Sequence, residues 1–595
     1  NDLRLDSGMP VLDDDPFTLR MQRENRRQML GAITRLVNLG GDVAASRQLQ
    51  KSIPIEQGGI VHKGGNHFIE KGDPDYQVFL EWLKLEATEA RARVALPAPS
   101  NRGIVFVRRP GGIPERFFDH AGFLPGADIY WRNGEDERNL TALLHPDGEA
   151  DLRSPEVSYD GCFVLFTMRR NAHEPFNLWE IELETGRGRQ LTFSEDPDAH
   201  CLEPLYVPDP EDQAGAHLAL VNIAFVSNRA GEWCVSSPEA ILGQAIRGSL
   251  NEIFDPQRTE RDGTFDGRSL RVLLGAGAGA ERRIVRSERG RLVLDAPLPE
   301  PADGTTHYAI AVDPRKSPKY DAWRLSRAEL GHEQEAWQES LARMTWSASQ
   351  IRRPTMRSSG EVMFTCLRTG WQNARPFFNG ALFRVHVDGS NFHTHNGNRS
   401  GVPIFSDDRE LPNGLEVRVG RSADSWWGGM LILSDHQFGP SIEVHNPLDD
   451  LDRPFQAGVP DTGLPRFVPG WISLDEAVSF GGISEGGVYR DPYPLSDGSI
   501  LVSWAPGPID LHDPCASPNF DVVRLVPDPA FQSPDGMRAG AFRREVILQG
   551  AGAELWARPV AARLKESVNK TLKTEPNLLG EPVKNSGYLG YPEAT

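Results

Sequence analysis

At 595 residues the chain exceeds the size at which one core keeps growing, which implies several domains or one large repeat fold. Lys and Arg total 64 against 83 Asp and Glu, a formal charge of −19 with no basic cluster to offset it, and this argues against a nucleic-acid partner. No run approaches the roughly 18–20 apolar residues that cross a bilayer, and the opening NDLRLDSGMP has neither a charged nor an apolar signal region, so we expect a soluble chain that lacks a signal or has lost one.

The first predicted element is a helix from Pro16 to about Asn38, with Leu19, Met21, Met29, Ile33, Leu36 and Val37 at helical intervals and a diglycine stop behind them. A second follows Asp73 or Asp75, either of which can cap it, and turns Tyr76, Phe79, Leu80, Trp82 and Leu83 inward. After ALPAPSNRG the texture changes to short β runs divided by Gly, Asp and Pro turns. Each unit has a Pro-containing start, an Asp-Gly or Asn-Gly turn, an apolar strand and a strand ending in a polar turn. Four strands in roughly 40 residues is the period of a propeller blade, and six such units are predicted. Between about Leu242 and Trp346 the period breaks. There DGRSLRVLL and its continuation alternate with period two, while the stretch holding Trp323, Leu325, Leu330 and Trp337 reads as a helix, giving a β-module plus helix inserted in the third unit. From Leu564 the tail has few apolar residues and many turn formers, and alone should be disordered.

The expected fold is therefore mainly β: a six-bladed propeller with a small N-terminal helical domain, an inserted module and an extended tail. The boundaries are 1–95, 100–241 for blades one to three, 242–346 for the insertion, 347–563 for blades four to six, and 564–595.

Several phrases carry a family resemblance. PEVSYDG (155–161), RQLT (189–192), VDGSN (387–391) and DPYPLSDG (491–498) resemble the TolB-like propeller family. Their order, with WARPVAAR behind, is similar to the hydrazine synthase α-subunit and its relatives. In front of them, Gly58-Gly59, His62-x-Gly64-Gly65 and the helix with Tyr76 and Trp82 resemble the back half of a c-type cytochrome domain. The resemblance implies export to the periplasm or the cell surface and a place beside redox proteins. It does not bring the haem with it. The five cysteines, Cys162, Cys201, Cys234, Cys366 and Cys515, contain no CxxC and no CxxCH, which removes covalent haem, zinc ribbons and thioredoxin chemistry.

Candidate chemistry is sparse. His62 and His67 would approach iron only if haem is bound noncovalently or lent by a partner; otherwise they bond their own loop. His393 and His395 share one face of an extended segment, a spacing that copper or zinc sites use, with Asp407 and Asp408 able to join only if the fold brings them in; an exposed blade-edge loop is the favoured alternative. Asp435, His436, Tyr489, Arg490, Asp491 and Tyr493 lie where inner strands would near a central channel and could hold a ligand or cation; otherwise Asp491 caps a turn and the tyrosines pack between blades. Gly482-Ile483-Ser484-Glu485-Gly486 matches the G-x-S-x-G elbow, but EGGVYRDPYP behind it is no helix. The glycines from Gly275 to Gly279, with Ala280 after them, fit a loose dinucleotide fingerprint, yet ERRIVRSERGRLVL behind them alternates like a β-hairpin.

No complete catalytic set emerges, so the expectation is a non-catalytic scaffold or interaction subunit of an exported redox or multi-haem assembly. Its partners would be other protein subunits, c-type cytochromes among them, docked on the N-terminal segment, the insertion and the tail. Two alternatives stand beside it: a hydrazine synthase-like enzyme subunit using a partner's haem, and a propeller that binds a ligand or ion in its channel.

Overall fold

A computed structural model describes residues 43–50, 52–59, 68–92, 97–99, 102–114, 117–118, 123–209, 221–235, 240–256, 258, 260, 262–311, 316–326, 340–372, 375–396, 402–412, 415–423, 425–435, 471–528 and 542–566. The helix expected at 16–38 and the tail beyond 566 lie outside these residues.

The chain is mainly β, and its strands group into antiparallel sets of four. In chain order the sets begin with Asp151–Val157, Cys201–Pro208, Ile351–Met356, Ile404–Glu410 and Val488–Pro494. A further set is built from both ends of the described chain: Ala553–Pro559 pairs with Ile104–Arg109, which continues to Asp128–Asn133 and Asp136–Asn139. The first strands of the six sets touch one another in cyclic order, with Ala553–Pro559 between Val488–Pro494 and Asp151–Val157. This pairing closes the ring, and the inner edge strands are shielded by one another.

The packing follows from the sequence pattern. Strands such as Val221–Ser227 are buried along their whole length because each sheet is covered on both faces by its neighbours, so they read as unbroken apolar runs. The cores accordingly lie between sheets: Val207, Val226, Ile351, Phe364 and Val385 form one, and Val417, Leu431, Ile500 and Val523 another. Each such side chain, fully buried, contributes about 1.5–3 kcal/mol. Outermost strands, such as Asp136–Asn139, are short and charged, which blunts a pairing edge. The tight turns behind inner strands place Gly161 at φ 71° and Gly498 at φ 82°, a left-handed geometry that explains the repeated Asp-Gly.

The break in period is an insertion between the second and third strands of the set that begins with Cys201–Pro208. Its stem pairs Trp233–Val235 with Lys316–Pro318. Beyond the stem, Ala240–Gln244 pairs with His307–Ala311 while the adjoining Arg247–Gly248 pairs with Glu252–Phe254, so one continuous segment closes a small sheet around Ile253, Leu270, Ile284, Leu292 and Ile310. The glycines from Gly275 form a hairpin turn between Ser269–Leu274 and Glu281–Glu288, as expected.

One expectation is corrected. The stretch read as the insertion's helix starts with a strand, Asp321–Ser326, which pairs with Val221–Ser227 and resumes the set that begins with Cys201–Pro208. Leu325 is buried against that neighbour and Trp323 is half-buried; a helical spacing of apolar residues here coincides with a strand's alternation. The helix's other markers, Leu330 and Trp337, lie outside the described residues.

Ahead of the ring, Pro74–Ala92 is a helix. Asp73 caps it, its Oδ1 accepting the Asp75 N–H at 2.9 Å. Tyr76, Leu80, Leu83 and Ala87 pack inward on Val43, Leu49 and Ile53, with Phe68, Phe79 and Trp82 at the rim.

Candidate functional site

The site is built by one irregularity repeated six times. Every innermost strand carries a bulge at which a non-glycine residue adopts positive φ: Ser154 (53°), Glu203 (52°), Arg353 (54°), Asp407 (54°), Asp491 (59°) and Trp556 (53°). The ladder shifts register at each bulge. Pro155, Pro204, Pro354 and Pro492 follow four of them, residues without an N–H to leave unpaired in the bulge. Left-handed backbone costs each such residue on the order of 1–3 kcal/mol, and the repetition places a chosen side chain from each strand at one level of the axis.

Arg353 reaches across that level. Its Nε lies 3.4 Å from Glu203 Oε1 and 3.7 Å from Asp407 Oδ1, and its Nη1 lies 3.9 Å from Asp491 Oδ1. Its guanidinium stands 5.9 Å from the ring of Trp556, on the opposite set. Arg352 binds Glu203 Oε1 at 2.9 Å, and the backbone N–H of Arg353 donates to Glu203 Oε2 at 2.6 Å. Arg490 donates to Asp491 Oδ2 at 2.9 Å and faces Trp556. Burial pushes the Asp491 carboxyl above the usual range against the pull of Arg490 and Arg353.

Both ends of this axis are covered by the chain. At one, Arg352 donates to the Phe117 carbonyl and Gln350 donates to the Phe118 carbonyl at 2.7 Å. At the other, Pro97, Arg563 and Glu566 close a cavity of about 40 Å³, room for a few waters. Glu156 stands there with Arg558 at 3.2 Å, Arg409 at 3.6 Å and Arg563 at 3.8 Å, and accepts a hydrogen bond from Tyr493 Oη at 3.3 Å.

A second buried group adjoins the bulge of Asp407. His395 Nε2, Asp408 and Glu416 offer ligand atoms within 4.8 Å of one another, a donor set a metal could use. Two guanidiniums already supply cationic charge: Arg418 Nε lies 2.6 Å from Asp408 Oδ1, and Arg357 Nη1 lies 2.6 Å from Glu416 Oε1. Burial drives the Asp408 carboxyl up to about 8, with Glu416 adding to the effect and Arg418 opposing it. Burial acts on Glu416 too, but His395, Arg357 and Arg418 outweigh it and hold that carboxyl well below its usual range.

The residues singled out from sequence fall in different places. Arg490 and Asp491 reach the axis and Tyr493 reaches the mouth. Tyr489 packs between the last two sets, its backbone bridging Gly429 and its hydroxyl donating to Asp475 Oδ2 at 3.1 Å. His393 turns to Arg384 Nε at 2.5 Å and donates from Nδ1 to the Asn391 carbonyl, while His395 pairs with Glu416 at 2.7 Å. Asp435 ends Met430–Asp435 opposite Leu415. His62, His67 and His436 lie outside the described residues. Ser484 of the elbow-like motif is buried in the short strand Ile483–Ser484 and donates to the Gly487 carbonyl at 2.6 Å, which occupies its hydroxyl structurally. Glu203, Arg352, Arg353 and Trp556 escaped the sequence reading, although the recurring X-Pro at strand starts marked four of the bulges.

No protein-family model and no curated protein matches the chain. Among solved structures it is similar to Kuenenia stuttgartiensis hydrazine synthase, at 16% identity over 85% of this chain and 52% of that one, with a TM-score of 0.45. TolB from Acinetobacter baumannii is similar at 9% identity over 82% and 73%, TM-score 0.34. A puromycin-hydrolyzing peptidase of Mycobacterium tuberculosis is similar at 12% over 77% and 54%, TM-score 0.28. The chain spans about half the length of the hydrazine synthase chain.

Proposed function

We propose that the chain is a six-bladed β-propeller acting as a non-catalytic scaffold, an interaction subunit of an exported redox assembly. The observation that carries this reading is the filled axis. Arg353 and its carboxylates occupy the level where a propeller's ligand would sit, and Phe117, Phe118, Pro97 and Glu566 cover the two mouths. A centre packed this way favours a rigid hub over a reaction chamber.

The periphery suits docking. Val78 and Leu85, two helical turns apart, are 70% and 67% exposed on the outer face of Pro74–Ala92, and Ile246, Leu274 and Val285 are exposed on the inserted sheet. Export and the redox setting rest on the resemblance of the blade and cytochrome-like phrases.

Light scattering on the natively purified chain tests this. A stoichiometric complex with another protein is expected, and replacing 236–315 with a two-residue turn should weaken it. A stable lone monomer in native extracts would overturn the reading.

A further inference from the structure

Near the start of the inner strand Asp151–Val157, at the Phe117 end of the axis, three guanidiniums gather around one carboxylate. Arg153 donates to Asp151 from Nε at 3.0 Å and from Nη2 at 2.7 Å. Arg109, 3% exposed, places Nη1 3.6 Å from Asp151 Oδ1 and donates from Nη2 to the Leu124 carbonyl at 2.8 Å. Asp151 also accepts the Leu124 N–H at 2.9 Å, so both its oxygens are engaged.

The third guanidinium has no such partner among the described residues. Arg169 is 5% exposed, and its Nε and Nη2 find no hydrogen-bond acceptor among the described residues. Its plane lies against two rings, Phe176 at 4.4 Å and Phe123 at 4.9 Å, and Phe176 also carries Arg153 at 4.8 Å. Stacking satisfies the faces of a guanidinium but not its edge. A buried cation with open donors is costly, and native proteins pair most such groups with protein, water or an ion. The two open atoms also have a geometry. Nε–H and Nη2–H point the same way from one side of the group and form the fork that meets two oxygens of a carboxylate, phosphate or sulfate.

His200 Nδ1 accepts the Phe176 N–H at 3.1 Å, and burial together with Arg169 and Arg153 pushes this imidazole down to about 4, so it stands neutral beside the cluster. The nearby Arg490 is paired with Asp491 and adds no free anion.

We propose that the open edge of Arg169, supported by Arg109 and Arg153, binds a small oxyanion at this end of the axis. The site stands independently of the scaffold reading, since a hub and an enzyme subunit can both hold an anion.

The test is calorimetric titration of the full chain with inorganic phosphate and, separately, with acetate, each against chloride at matched ionic strength, with melting followed in parallel. One saturable site and a raised melting temperature are expected for at least one anion; phosphate alone identifies a tetrahedral ligand, and acetate binding as well identifies a carboxylate. Arg169→Lys keeps the charge but loses the fork, and should weaken binding at least tenfold; Arg169→Gln should abolish it. Absence of any anion-specific heat or melting shift in the unmodified chain overturns the proposal whatever the variants do. Binding by folded Arg169→Gln at unmodified affinity overturns it as well.

Discussion

Arg353 is the residue on which the axis turns. Replacing it with Met removes the cation shared by Glu203, Asp407 and Asp491, while Arg352 and Arg490 still pair Glu203 and Asp491, so a loss of about 1–3 kcal/mol is expected in urea unfolding at neutral pH. Asp408 makes a separate prediction through pH. Its carboxyl is raised in the folded state from 3.8 to about 8, so between these values the folded protein holds a proton that the unfolded chain releases. This contribution is complete below the unfolded value and is lost as pH rises through the folded one. His200, held down to about 4 when folded, gives the opposite slope up to its free value of 6.5, so the net fall should appear from about pH 6.5 to about pH 8 and Asp408→Asn should flatten it; an unchanged slope in the variant would show that other groups set it. Some of this chemistry was legible residue by residue. Arg490, Asp491 and Tyr493 stood out because polar residues at an apolar strand's start need a reason. Glu203 and Arg353 did not, because their partners are each other, some 150 positions apart, and no local pattern reports such a pair.

At the scale of elements, the repeated strands and Asp-Gly turns were readable because both are local: alternation, breakers and left-handed glycines leave marks within a few residues. The insertion was readable as a change of period but not in its limits. Asp321–Ser326 belongs to the ring by virtue of pairing with Val221–Ser227 a hundred residues earlier, and its own composition suits a helix equally well. The stem at Trp233–Val235 and Lys316–Pro318 makes the insertion separable. A chain with 236–315 replaced by Asn-Gly is expected to fold cooperatively with a melting temperature within about 5 °C of the parent, even though it loses the Arg289–Asp510 contact. Loss of cooperative unfolding would show that the module is part of the ring's core. At the N-terminal helix, Asp73→Ala removes the cap and should cost about 1 kcal/mol, read as faster amide exchange in the first turn of Pro74–Ala92.

The molecule as a whole is held by one long-range closure. Ala553–Pro559 supplies both the innermost strand beside Ile104–Arg109 and the Trp556 ring facing Arg353, so a chain ending at residue 552 should lose its cooperative transition and expose an open edge. Sequence phrases pointed to a ring of six units, but not to which strand closes it, since closure joins segments more than 400 residues apart. With its centre filled by its own charges, the ring is proposed to organise other proteins. The visible spectrum of the native assembly, recorded before and after the chain is separated from its neighbours, tests this most directly: a stoichiometric complex in which any Soret absorbance leaves with the partner is expected, and a Soret band retained by the isolated chain would contradict the scaffold role.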